Sequence, residues 1–268
     1  MYDDFTSEQL NQYWIQTCIG NGTLQLQDSA LRMQFASAQQ GQYTDAQIDD
    51  YGGRNRKDFP WRPPLRMEVR ARSSHPVATL ASSAEEGNYL RGTAGFGFWN
   101  YPFSPRGDIL MLPEAIWFFY ASPPSNMALV PGIPGWGWKA QFVHSMRPCA
   151  LVSALPLAVT TAYGLVTGET RPASRWMQRV TGAREAILDV DMTDWHTYMI
   201  DWQKRKADFW VDGQLALRVF QPPIRPLGFV AWLDNQFAIV TPRGRFRFGT
   251  VNSGPQWFEI DSILISQQ

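Results

Sequence analysis

DWHTYMIDWQKRKADFWVDGQLAL, Asp194 to Leu217, decides the fold. It contains two strand-like runs, WHTYMIDWQ (Trp195 to Gln203) and one that starts at Ala207 and continues to Phe220 as ADFWVDGQLALRVF. Asp212-Gly213 interrupts the second run with residues that accept the positive φ angles of a tight hairpin turn. Short apolar or alternating runs punctuated by such turns are the pattern of an antiparallel all-β chain.

The same pattern extends in both directions. GTLQLQDSALRMQF (Gly22 to Phe35) alternates on either side of Asp28-Ser29 and reads as a hairpin. RMEVRARS (Arg66 to Ser73) places Met67, Val69 and Ala71 on one face. GTAGFGFWNY (Gly92 to Tyr101) is a glycine-rich strand, where missing side chains let something approach the backbone. LPEAIWFFYAS (Leu112 to Ser122), WKAQFVHS (Trp138 to Ser145), LGFVAWLDNQFAIVT (Leu227 to Thr241) and QWFEIDSILIS (Gln256 to Ser266) complete the set. One segment breaks it. Residues 150–185 carry loop chemistry at Pro156, Gly164, Gly168 and Pro172, and a helix-compatible piece, PASRWMQRV. They read as a partly helical insertion that either covers a binding face or elaborates the surface. A chain of 268 residues fits a single β-sandwich domain over 1–268.

Composition narrows the partners. Formal net charge is zero, which argues against attachment to nucleic acid or anionic membrane by bulk charge. Among the 24 basic residues only Lys57, Lys139, Lys204 and Lys206 are lysines. The arginines suit fixed, stacked or bidentate contacts. Cys18 and Cys149 could form one disulfide or none, and read first as two reduced, buried thiols. His75, His144 and His196 have no metal-ligand spacing. QIDDYGGRN (Gln47 to Asn55) offers paired aspartates and glycines to a structural calcium ion but reads first as a polar turn; no other cofactor is expected. The polar start MYDDFTSEQL is not a secretory signal. The longest apolar stretch, Cys149 to Val166, is too short and broken to span a bilayer. The expectation is a soluble protein, cytoplasmic or secreted with its signal removed, of undetermined oligomeric state.

The order of the strands resembles the concanavalin A-like lectin/glucanase superfamily and, within it, glycoside hydrolase family 16. Asp194 to Leu217 is similar to that family's His-x-Tyr strand followed by a strand ending in Val-Asp-Gly. FEIDSILIS resembles its closing strand, and LRMEVRARSS the strand before its cleft. The likeness runs from about Leu65 to the C-terminus, apart from the insertion. It implies a two-sheet antiparallel jelly roll in which polysaccharide lies across one concave, aromatic-lined sheet. The supply of 12 Trp, 16 Phe and 9 Tyr suits stacking on sugar C–H faces, although most of these rings are expected in the core.

The family's catalytic strand carries Glu-x-Asp-x-Glu, because alternate strand residues look into the cleft. The resemblance places Glu114 at the nucleophile position, Ile116 where the aspartate would be, and Phe118 or Phe119 at the acid/base position. Retaining hydrolysis needs two carboxyl groups about 5–5.5 Å apart, and this strand supplies one. Three readings of Glu114 stand together. It is a strand-end carboxylate paired with an arginine, a residue that accepts sugar hydroxyls, or a general acid raised by the apolar wall of Ile116, Trp117 and Phe118. Asp234 is the first candidate for a second carboxylate and Glu68 the next. His144 shares a face with Trp138, Ala140 and Phe142, and is either a satisfied core or edge histidine or a cleft acid/base. His196, Glu259 and Asp261 read as structural.

The catalytic candidates are therefore Glu114, Asp234 and His144. The ligand-binding candidates are Trp99, Asn100, Trp117, Trp232 and Asn235. Three functions follow: a glucanase-like protein that binds or hydrolyses carbohydrate in an aromatic cleft, an enzyme of the same fold working on a hydrophobic small molecule by acid-assisted isomerisation or cyclisation, and a lectin-like module without turnover. Two titratable groups facing each other in the cleft would mark an enzyme.

Overall fold

The computed structural model describes residues 1–78, 88–101, 113–127, 129–130, 132–145, 182–240 and 246–268. In chain order its strands are β1 (Tyr2–Asp3), β2 (Ile15–Ile19), β3 (Thr23–Gln27), β4 (Ala30–Phe35), β5 (Asp45–Asp49) and β6 (Leu65–Ser73). Then come β7 (Thr93–Trp99), β8 (Glu114–Ala121), β9 (Asn126–Met127), β10 (Gly137–His144), β11 (Arg184–Ile187) and β12 (His196–Trp202). The last are β13 (Lys206–Val211), β14 (Gln214–Phe220), β15 (Gly228–Asp234), β16 (Gln236–Val240), β17 (Phe246–Thr250) and β18 (Gln256–Gln267). The expected 150–185 insertion lies outside the described residues up to 181. Its last residues, Arg184 and Glu185, open β11.

Two antiparallel sheets make a jelly-roll sandwich. One runs β14-β13-β12-β6-β18-β4-β3, with β1 added to β18; the other runs β11-β10-β8-β7-β15-β5-β2. A small third sheet, β17-β16-β9, continues from the end of β15. Local chemistry sets the turns. Asp212 and Gly213 take φ of 48° and 78° and join β13 to β14, with Val211 opposite Gln214. Asp28 and Ser29 take φ of 52° and 57°, and Gln27 pairs with Ala30 across that turn.

The core lies between the sheets. Phe118 of β8 packs 5.0 Å from Tyr198 and 5.6 Å from Phe209, both on the opposite sheet. Phe98 meets Trp202 at 5.5 Å, and Trp138 Nε1 donates to the Tyr198 hydroxyl at 3.2 Å. Burying each such aromatic contributes about 1.5–3 kcal/mol. Met67, Val69 and Ala71 turn inward together, as the alternation of β6 requires. Its other face points away from the core. There Arg32 and Arg72 converge on the buried carboxylate of Glu259 and stack on Trp257. Arg218 grips Asp208 through two nitrogens. The arginines seen here use stacked and forked geometry, for which guanidinium is suited. Among the described residues no helix is long and apolar enough to cross a membrane.

Candidate functional site

The site is set by which residues of the seven-stranded sheet turn away from the core. On β8, Ile116, Phe118 and Tyr120 are core residues, so Ala115, Trp117, Phe119 and Ala121 occupy the far face. The ladders to β7 and β10 run without a register shift. On β15, Phe229, Ala231 and Leu233 turn inward, while Val230, Trp232 and Asp234 turn outward. On β5, Ala46 and Ile48 are core, which leaves Asp45, Gln47 and Asp49 outward.

The far face is an aromatic layer. Trp117 lies 5.2 Å from Trp232, 5.4 Å from Phe119 and 5.8 Å from Trp99. Tyr101 and Tyr51 extend it beyond Trp99, whose indole donates to the Tyr51 hydroxyl at 2.7 Å. The glycines of β7 make this packing feasible. A Cβ on Gly95 would fall 2.3 Å from the Phe118 carbonyl oxygen and 2.9 Å from the Trp232 ring. One on Gly97, at φ +143°, would fall 2.6 Å from Trp117 Cα. The close approach expected over this glycine-rich strand is made by the protein's own indoles.

Polar groups flank the layer on both sides. Across β8, the Trp117 indole donates to Gln141 Oε1 at 2.6 Å, and the Gln141 amide donates to Glu185. Lys139 sits 3.3 Å from Glu185, and both side chains are buried. Burial pushes the lysine down and the glutamate up, each opposed in part by the other's charge. Across β7, Trp232 Nε1 donates to Thr93 Oγ1 at 2.9 Å, and Thr93 Oγ1 donates to Asp234 Oδ1 at 2.8 Å. Asp45 stands directly opposite Asp234 in the β5–β15 ladder. Burial, then the Asp234 charge, pushes Asp45 up to about 8, with the neighbouring Tyr43 hydroxyl opposing. Burial pushes Asp234 up to about 6 against its hydrogen bonds from Gln236 and Thr93.

The structure therefore brings Trp99, Trp117, Trp232 and Asp234 to one face. It places the other candidates elsewhere. Glu114 alternates with Ile116 and turns to the core side at the end of β8, 1% exposed. Among the described residues its ion-pair partner is a histidine: His144 Nδ1 lies 2.7 Å from Glu114 Oε1. His144 follows Trp138, Ala140 and Phe142 on that same inner face. Asn100 closes the β7–β8 ladder, its Oδ1 accepting from Glu114 N at 3.1 Å. Asn235 gives its amide to the carbonyls of Gln39, Gln42 and Val251 and accepts from Thr44 N. Glu68 lies on the other sheet and pairs with Arg66.

The sequence reading passed over Asp45, Lys139, Gln141 and Glu185. Alternation could have found the first three, since Asp45 and Gln47 flank core Ala46 while Lys139 and Gln141 flank core Ala140. The aspartates of Gln47 to Asn55 are engaged internally. Asp49 accepts from Tyr51 N, Gly52 N and Gln47, and Asp50 from Trp61 and Phe229 N. Among the described residues no group of three or more His, Cys, Asp or Glu is placed to hold a metal ion. Cys18 is a free, exposed thiol, and Cys149 lies outside the described residues.

No protein-family model matches the sequence, and no curated protein matches it. Solved structures do. An endo-acting O-glycanase structure from the human gut microbiota superposes with a TM-score of 0.54 at 12% identity, covering 99% of this chain and 97% of the other. Laminarinase from Flavobacterium sp. UMI-01 gives 0.52 at 15% identity, over 100% and 99%. A beta-1,3-glucanase from Mycobacterium marinum gives 0.51 at 13% identity, over 99% and 97%. The chain has the concanavalin A-like fold of these glycan-acting proteins, and at such identities the likeness extends to the fold alone.

Proposed function

We propose that this protein is carbohydrate-active and holds a glycan against the aromatic far face of its seven-stranded sheet. One observation carries the reading: Trp99, Trp117, Phe119 and Trp232 form a continuous layer with hydrogen-bonding side chains along both flanks. Sugar rings offer C–H faces that stack on such rings and hydroxyls that need donors and acceptors beside them. The activities of the similar structures, on mucin O-glycans and β-1,3-glucan, support the same ligand class. The test is titration of the native protein and Trp117→Ala with β-glucans, galactans and their oligosaccharides. Binding by the native protein, weakened about tenfold or more in the variant, supports the reading. No binding to any of them sinks it.

A second reading has its own observation. Phe119 and Trp232 are each only 7% exposed, so this part of the layer is nearly withdrawn from water. That degree of enclosure suits a closed pocket for a hydrophobic small molecule, where an acidic group would assist isomerisation or cyclisation. Saturable uptake of an apolar fluorescent probe, displaced by no saccharide, would favour it.

A further inference from the structure

We infer that Asp45 and Asp234 are the catalytic carboxyl pair of a hydrolytic site on this face, cleaving a glycosidic bond of a ligand laid beside Trp232. The inference rests on the carbohydrate reading above. It places the chemistry on β5 and β15, because the far-face positions of β8 are Ala115, Trp117, Phe119 and Ala121 and carry no carboxylate.

Geometry makes the pair. Residues directly opposite in an antiparallel ladder have Cβ atoms about 4.5–5.5 Å apart, so two short carboxylates there share one small volume. Asp234 is fixed within it. Its Oδ1 accepts from Thr93 N at 3.3 Å, Thr93 Oγ1 at 2.8 Å and Gln236 N at 2.9 Å. Three donors on one oxygen favour the ionised form. Asp45 is held less tightly. Its Oδ1 is buried and accepts or donates no hydrogen bond, an expensive arrangement for a polar atom with no further role.

The environments separate the two roles. Among the described residues Tyr43 and Asp49 are the other titratable groups acting on Asp45. At neutral pH Asp45, pushed up to about 8, keeps its proton, while Asp234, at about 6, is ionised. Two carboxyls whose surroundings drive them apart divide into an acid and an ionised nucleophile.

The step balances. Asp45 gives its proton to the glycosidic oxygen as the bond to the anomeric carbon breaks, and a carboxylate oxygen of Asp234 forms the new bond to that carbon, the two-step route that closely spaced carboxyls serve. Asp45, now ionised, takes a proton from a water molecule whose oxygen displaces Asp234 from the anomeric carbon. One water is consumed. Asp45 is again protonated and Asp234 again ionised.

The experiment compares the full-length native chain with Asp45→Asn and Asp234→Asn, measuring oligosaccharide binding and reducing-end release on the same glucan. Both variants should bind within about threefold of native and lose release by about 100-fold or more, the usual share of general acid–base catalysis. Release at the native rate by either variant overturns the assignment. Native protein that binds but releases nothing also overturns it and leaves the binding reading intact. No binding and no release overturns both. If an asparagine variant does not melt cooperatively, Tyr43→Phe serves instead. Removing that hydroxyl should move the alkaline limb of the rate profile upward, and an unmoved limb counts against the pair.

Discussion

Glu114 and His144 are register partners at the end of the β8–β10 ladder, with Oε1 and Nδ1 2.7 Å apart. The contact is close without forming a hydrogen bond, and among the described residues neither atom has a hydrogen-bond partner. Both lie on the core side of the sheet, while the aromatic layer lies on the far side. Glu114→Gln should cost about 1–3 kcal/mol of stability, the range for disturbing a buried polar contact. Glycan binding should stay within about twofold, since a buried polar contact on the opposite face of the sheet acts through stability first. Denaturant unfolding and titration read the two effects separately; lost binding with an unchanged midpoint would move this pair into the site.

Stability should fall as pH rises from about 4 to about 8. Asp234, Asp50 and Asp45 are pushed up to about 6, 7 and 8 from an ordinary 3.8, so the folded chain holds these protons more tightly than the unfolded chain. Their contribution is complete below pH 3.8 and is lost as pH passes each raised value. The slope is up to about 1.4 kcal/mol per pH unit for each group. Melting temperature against pH should fall across that window, and Asp45→Asn should flatten its upper part. A rise over the window would contradict the burial of these carboxyls.

Gly97→Ala should destabilise by about 1–3 kcal/mol, the usual cost of forcing atoms into a packed interior. The residue sits at φ +143°, and the new methyl would meet Trp117 Cα at 2.6 Å. The same substitution at Gly132, at φ +85° with open space around its Cβ, should cost only the backbone strain. Equal losses at the two positions would show that the close approach of β7 to β8 at Gly97 contributes nothing.

Asn235→Ala should cost about 2–4 kcal/mol, since four hydrogen bonds, two of them buried and two partly buried, lose their partner at once. The Thr44 amide, which donates to Asn235 Oδ1 at 2.9 Å, should exchange with solvent faster. Hydrogen exchange resolved at Thr44 checks this, and unchanged protection would refute the role.

Much of the fold is legible in residues whose local chemistry leaves one choice. Asp212-Gly213 and Asp28-Ser29 take the positive φ angles that their residue types tolerate; the second turn sets the whole β3–β4 register, and the first sets the β13–β14 register as far as the shift at Phe209/Trp210. Met67, Val69 and Ala71 alternate with charged neighbours, which names the inner face of β6 directly. The site was harder to read because β8 is apolar on both faces. With Ile116, Phe118 and Tyr120 on one side and Trp117 and Phe119 on the other, the alternation fixes two sets but not which one meets the core. Choosing wrongly carries Glu114 from one side of the sheet to the other. Asp45 escaped notice for a different reason. Thr44-Asp45 and Asp49-Asp50 resemble turn chemistry, and only pairing between β15 and β2 makes the residues between them a strand.

The indoles of Trp99, Trp117 and Trp232, spaced 5.2 to 5.8 Å apart, are close enough for their electronic transitions to couple. The face thereby carries its own optical signature, a far-ultraviolet circular dichroism couplet that depends on the angle between neighbouring rings. Anything that slides across the layer and tilts one ring changes the sign or size of that couplet. The chain reports occupancy of the face without a label, whatever the chemical nature of the occupant.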